Sequence, residues 1–180
     1  MDIKEEKKAL REEAKRIEKE ITEDRIRMSD EKIFEQLMNN PRFISARNLF
    51  IYISVDREPD TLRLIDEALK RGKNVFVPKC GKKPFMKAVK IASREELREG
   101  SFGIPEPLSD EDFEGDLDLA VVPCVRATWD GRRLGHGGGF YDCFLGKRKI
   151  YKICLCRKEF MTEKLPEEDF DVIMDEVISG

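Results

Sequence analysis

The chain has 180 residues, of which 40% are hydrophobic and 39% charged, and its net charge is −3. That length supports one domain, spanning residues 1–180, whose core buries roughly 70% of the unfolded surface. The charge balance excludes a basic nucleic-acid-binding arm, since even the first forty residues set ten basic against twelve acidic side chains.

No charged-then-apolar leader opens the sequence, and no run approaches the ~18 apolar residues that span a bilayer. Five cysteines (Cys80, Cys124, Cys143, Cys154 and Cys156) form no C-x-x-C pair, and one histidine is too few for the common zinc patterns. The expectation is a cytoplasmic protein with free thiols, without membrane or nucleic-acid partners, working as a monomer or weak dimer.

From Asp2 to Glu23, Ile3, Leu10, Ala14, Ile17 and Ile21 recur at helical spacing and predict an amphipathic N-terminal helix. Ser29 or Asp30 is expected to cap a second helix carrying Ile33, Phe34, Leu37 and Met38, which Asn39-Asn40-Pro41 stops. Leu49 to Val55 reads as a buried strand. Asp60 caps the next helix, with Leu62, Ile65 and Leu69 on one face, and Gly72 ends it before a strand at Val75 to Val77. Strand, helix, strand is the pattern of a parallel pair in an α/β fold, and Glu58 lies in a loop leaving a strand's carboxyl end.

Phe85 to Ile91 predicts a further strand, and Ser93-x-x-Glu96 a capping box opening a short helix that ends near Gly100. Phe102 to Pro107, FGIPEP, is too proline-rich for a helix and reads as an ordered loop. The acidic stretch Ser109 to Asp116 reads as a mobile surface loop. Strands are expected at Leu117 to Val122, at Ile150 to Cys156, and at a sheet edge within Asp171 to Ile178.

The densest chemistry lies in Gly131 to Asp142, GRRLGHGGGFYD, which holds five of the 12 glycines, two arginines, the histidine and a carboxylate. Glycines at 135, 137, 138 and 139 let a ligand approach main-chain N–H groups. Arg132 and Arg133 offer planar forks that suit phosphate oxygens. Asp142 suits a hard cation such as Mg²⁺ beside them. Two better-known phosphate motifs fail here. Gly146-Lys147 has Tyr141 where a P-loop needs glycine and Arg148 where it needs Ser or Thr. The dinucleotide fingerprint meets Phe140 or Asp142 where a third small residue belongs. A glycine-rich surface turn is the plain alternative, but a turn alone requires neither the two arginines nor the flanking aspartate.

Lys7-x-x-Leu10-Arg11, Glu58 just before Asp60-Thr61, FGIPEP and above all Gly131 to Asp142 together resemble the 5-formyltetrahydrofolate cyclo-ligases, also called 5,10-methenyltetrahydrofolate synthetases. The likeness runs nearly end to end. It implies a three-layer α/β/α fold with a mostly parallel sheet, and ATP- and Mg²⁺-dependent closure of 5-formyltetrahydrofolate to 5,10-methenyltetrahydrofolate. Carried over by position, Lys7, Arg11 and Arg133, Leu134, Gly135, His136, Gly137, Gly138, Gly139, Phe140 and Tyr141 contact ATP. Ile53, Glu58 and His136 to Phe140 line the folate site. Asp142 and Asp171 hold Mg²⁺, and Arg133 and Asp142 are the catalytic pair.

The chain departs from the family pattern in three places. Pro123 to Thr128 lacks a Phe-Asp pair, for which Asp130 is the nearby substitute. Cys143 replaces an arginine, and Phe170 stands where histidine is common. The lost pair motivates an alternative, a non-catalytic nucleotide- or folate-binding module.

Overall fold

The computed structural model describes residues 2–100 and 103–180. Helix α1, Ile3–Glu20, begins with Glu5 and Glu6, acids that suit the positive end of its dipole. Only Lys7 and Ala14 of this helix are buried. Helix α2 runs from Glu23 to Met38, capped by the Thr22 hydroxyl, which accepts from the Arg25 N–H at 3.2 Å. It therefore starts well before the expected Ser29 or Asp30. Those two cap-type residues have other partners: Ser29 is buried and donates to the Gly180 carbonyl, and Asp30 pairs with Arg157. The Asn40 side chain then caps the short α3, Pro41–Ser45, in the role that Asn-Pro pairs favour.

Strand β1, Asn48–Ile51, is followed by α4, Leu62–Lys70, and β2, Asn74–Cys80. Asp60 Oδ1 accepts the Leu62 N–H at 2.8 Å, and Gly72 leaves the helix with φ +73°. Strand β3, Met86–Ile91, returns antiparallel. The capping box at Ser93 is present, but it opens a single 3₁₀ turn, Arg94–Glu96, in place of the expected helix.

The chain then forms β4, Leu97–Glu99, paired antiparallel with β5, Pro105–Pro107. The proline-rich segment is thus partly a strand, on a two-stranded edge where a missing N–H is tolerated; Phe102 lies outside the described residues. Residues 109–116 have no regular structure. They are nonetheless anchored, with the Phe113 ring stacked on Phe76 at 4.2 Å and Asp112 accepting the Ala88 N–H.

The remaining elements are β6, Leu119–Val122; β7, Arg126–Ala127; β8, Arg133–Leu134; α5, Phe140–Leu145; β9, Tyr151–Cys156; and β10, Glu176–Ser179. Six strands make one sheet in the order β10-β9-β6-β1-β2-β3, parallel except for β3.

Alternation along the strands separates two cores. Leu49, Ile51, Leu119, Val121, Ile153 and Leu155 face Ile33, Leu37, Phe43 and Ile65 from α2, α3 and α4. Phe50, Ala120, Val122, Cys154 and Cys156 face Phe144 and Leu145 of α5 on the other side. The result is three layers, each fully buried Leu, Ile or Phe contributing about 1.5–3 kcal/mol. The carboxyl ends of β1, β2, β6 and β9 all open toward one rim, and residues following each of them build the site described next.

Candidate active site

The hairpin β7–β8 delivers the glycine loop to that rim. Arg133, in β8, turns its side chain inward until only 3% is exposed and binds Asp142 Oδ1 at 2.7 Å. Its Nε is buried without a hydrogen-bond partner among the described residues. The guanidinium Nη1 makes no hydrogen bond among the described residues and is not enclosed as Nε is, so the donors it can offer the cleft are at that end.

The loop itself is fixed from two sides. Arg11 of α1 donates to the Gly135 carbonyl at 2.8 Å, and Lys83 donates to the Gly137 carbonyl at 3.4 Å. Gly137 and Gly139 have φ of +93° and +72°, left-handed conformations that glycine adopts without a Cβ penalty. Among the described residues, no hydrogen bond occupies the N–H groups of His136, Gly137, Gly138 or Gly139. Four free donors beside a guanidinium suit an anion.

Helix α1 meets the C-terminal segment across the same opening. Lys7 reaches Glu168 at 2.8 Å and Asp171 at 2.5 Å. Burial lowers the Lys7 pKa, but its hydrogen bonds to Asp171 and Glu168 outweigh this and leave it raised. Arg11 is pulled down by burial, against the attraction of Asp171 and Glu168.

The two carboxylates carried over as metal ligands are both here and both engaged. Asp142 Oδ1 accepts from Arg133 and from the Val172 N–H, and Asp171 Oδ2 from Lys7 and the Glu168 N–H. Each keeps its second oxygen without a hydrogen bond among the described residues. No group of three or more His, Cys, Asp or Glu side chains is arranged for a metal among those residues. Two carboxylates with spare oxygens on a phosphate-suited cleft match Mg²⁺, which retains waters and takes phosphate oxygens to complete its six ligands.

The opposite wall follows β1. Ile53 is 2% exposed and sits below the surface, while Glu58 projects from the next turn. Glu58 Oε2 accepts the Val55 N–H at 3.0 Å, and Oε1 lies 3.2 Å from His136 Nε2. His136 thus bridges the glycine loop to the β1 side. Tyr141 lies beneath: burial, then the nearby Glu58 and Cys80, push its phenol far above the usual range, and Arg133 pulls the other way. Its hydroxyl is therefore neutral at any working pH.

All of these groups line one cleft of about 680 Å³, which contains every residue carried over from the sequence: Lys7, Arg11, Ile53, Glu58, the run Arg133 to Asp142, and Asp171. Phe170 also lines it, and Lys7 Nζ lies 5.7 Å from its ring centre. Asp130 does not line it, and so is no substitute there for the absent Phe-Asp pair. It is tied instead to Thr128 and Arg132 in the β7–β8 turn. Cys143 faces a separate hollow with Lys147 and Phe85.

The sequence reading missed Lys4, Glu168, Glu106 and Arg157. Lys4 precedes Lys7 by three residues on the same helix face, a usable signal. Glu106 lies within the FGIPEP segment without standing out there, Glu168 gave no signal beyond being an acid in a loop, and nothing local marks Arg157.

The sequence matches the model of the 5-formyltetrahydrofolate cyclo-ligase family over residues 3–180. A Caenorhabditis elegans protein named "Probable 5-formyltetrahydrofolate cyclo-ligase" is 30% identical, the match covering 98% of this chain and 93% of that one. The mouse 5-formyltetrahydrofolate cyclo-ligase is 29% identical, over 96% and 92%. The solved structure of Aquifex aeolicus 5,10-methenyltetrahydrofolate synthetase superposes with a TM-score of 0.85 at 28% identity, covering 96% of this chain and 89% of that one.

Proposed function

Because the chain belongs to the 5-formyltetrahydrofolate cyclo-ligase family and is an enzyme of that kind, we propose that it converts 5-formyltetrahydrofolate and ATP to 5,10-methenyltetrahydrofolate, ADP and phosphate, with Mg²⁺. The observation that carries this reading is the cleft itself, where a basic, N–H-lined phosphate wall faces Glu58 and apolar surface across about 680 Å³. That volume suits a ligand pair brought into contact.

The chemical problem is a poor leaving group, the oxygen of a formamide. In the proposed course the γ-phosphoryl of ATP passes to that oxygen and ADP is left behind. The neighbouring folate nitrogen adds to the formyl carbon and loses its proton, and phosphate departs carrying the formyl oxygen. No protein nucleophile is needed; the chain's task is to align the reactants and steady the charge on phosphorus.

The outer end of the Arg133 guanidinium and the N–H groups of residues 136–139 face the transferring phosphoryl as fixed donors, preorganised for the charge it develops. Lys7 and Arg11 bind the rest of the polyphosphate. Asp142 and Asp171 would hold Mg²⁺, which when bound neutralises phosphate oxygens. Glu58 accepts hydrogen bonds from the pterin, and Phe140 offers an aromatic face to a flat ring. His136, exposed and bonded to Glu58, positions that carboxylate and is not assigned as a base. The five cysteines are all unpaired, in keeping with a reducing cytoplasm, and no described helix is long and apolar enough to cross a membrane.

The test is ADP release across a substrate panel. Stimulation by 5-formyltetrahydrofolate, in a one-to-one ratio with methenyl product, is the expected result. Equal stimulation by a sugar phosphate or an unrelated carboxylate would overturn the assignment of substrate, and saturable folate binding without ADP release would favour a binding module.

A further inference from the structure

Arg157 follows β9 and is one of the largest fully buried side chains of the protein, 2% exposed. Its charge is matched by Asp30 of α2 at 2.8 Å. Three further guanidinium N–H groups go to main-chain carbonyls: Ile26 at 3.2 Å, Arg57 at 3.1 Å and Glu58 at 3.0 Å. Asp30 Oδ1 in turn accepts the Asp60 N–H at 3.2 Å. One ion pair therefore grips the backbone of the β1–α4 loop at residues 57, 58 and 60.

That loop needs such a grip. Asp56 has φ +50°, a left-handed conformation that a non-glycine residue adopts at a cost. The turn is closed by the Glu58 N–H on the Val55 carbonyl at 3.1 Å, and the Glu58 carboxylate folds back on the Val55 N–H. Holding the Glu58 carbonyl from below fixes the direction in which its side chain leaves the backbone, and so the place its carboxylate takes in the cleft. A buried charge is a weak source of net stability compared with an apolar residue of its size. Its three directed bonds to one functional loop and one helix are better explained by orientation.

We propose that Arg157 is a positioning residue for the substrate-binding carboxylate Glu58, acting through the backbone of residues 57–58 and never touching the substrate. The inference rests on the reading of Glu58 as a folate contact. Lysine in its place keeps the charge opposite Asp30 but, with one compact ammonium, does not reach three carbonyls in three directions.

The experiment compares wild type, Arg157→Lys, Glu58→Gln and the double variant, with KM measured separately for 5-formyltetrahydrofolate and ATP and with amide hydrogen exchange over residues 55–60. In Arg157→Lys the folate KM is expected to rise about tenfold or more, with the ATP KM within about twofold of wild type. Exchange should quicken at 55–60 and stay unchanged in the glycine loop. In the Glu58→Gln background, Arg157→Lys should add nothing further to the folate KM. Equal effects on both KM values, additive effects in the double variant, or unchanged exchange at 55–60 would each overturn the proposal. A wild-type protein without turnover would instead count against the proposed reaction, and the exchange comparison would still decide whether Arg157 holds the loop.

Discussion

Arg133 and Asp142, nine residues apart in sequence, meet at 2.7 Å on the floor of the cleft, with 3% of the arginine side chain and 19% of the aspartate exposed. The pair makes Asp142→Ala a poor probe of metal binding, because it strips a buried cation of its partner at a cost of about 3–5 kcal/mol. Asp142→Asn keeps the Oδ1 acceptor and removes the negative charge. It should cost stability about 1.5–3 kcal/mol, less than the alanine variant because the hydrogen bond survives, while lowering kcat on the order of 100-fold. Thermal unfolding read beside Mg²⁺ titrations of turnover checks the split, and a loss of stability as large as in Asp142→Ala would contradict it.

Lys7 supplies a pH dependence. Its folded pKa is raised above the ordinary 10.5 because hydrogen bonds to Asp171 and Glu168 outweigh burial. The stability it contributes is therefore fully present below the unfolded value and is lost as pH rises through the higher folded one. Lys7→Met should flatten the alkaline limb of a Tm-versus-pH curve above about pH 10. An unchanged alkaline limb would mean that the contacts to Glu168 and Asp171 contribute nothing.

At Gly137, φ is +93° and an added Cβ would meet the Arg11 guanidinium carbon at 3.4 Å. Gly137→Ala should lose about 1–3 kcal/mol of stability and raise the ATP KM about tenfold, since relieving the strain shifts the loop's free N–H groups. Gly72, with φ +73° and open space around it, is the control. Gly72→Ala should lower Tm and leave both KM values alone.

Chelation gives a simpler outcome. EDTA should abolish turnover and added Mg²⁺ restore it, while Tm without nucleotide stays within a degree or so, because the apo carboxylates already have Arg133 and Lys7 as partners. A large fall in Tm on chelation would indicate a structural metal instead.

Much of this architecture is legible in the sequence. The apolar runs around β1, β6 and β9 are continuous because both faces of a parallel sheet are covered, and the glycine loop announces itself by composition. Local reading failed where tertiary partners took over local signals. Ser29 and Asp30 look like caps but serve Gly180 and Arg157, and Pro105 and Pro107 look like loop residues but pair at an edge.

Within the cleft, residue type and resemblance marked Arg133, Asp142 and Asp171 together. The sequence could not reveal that both carboxylates hold cations of their own chain. Arg157 was invisible, because nothing in CLCRKEF distinguishes a buried arginine from a solvated one; its partners lie about 100 or more residues away.

The most direct measurement is the near-ultraviolet absorbance of methenyltetrahydrofolate on mixing 5-formyltetrahydrofolate with the protein and Mg²⁺-ATP, set against an ATP-free control. The account predicts a rise that requires ATP and matches the ADP formed. A flat trace from folded protein, or a rise that proceeds equally without ATP, would contradict it.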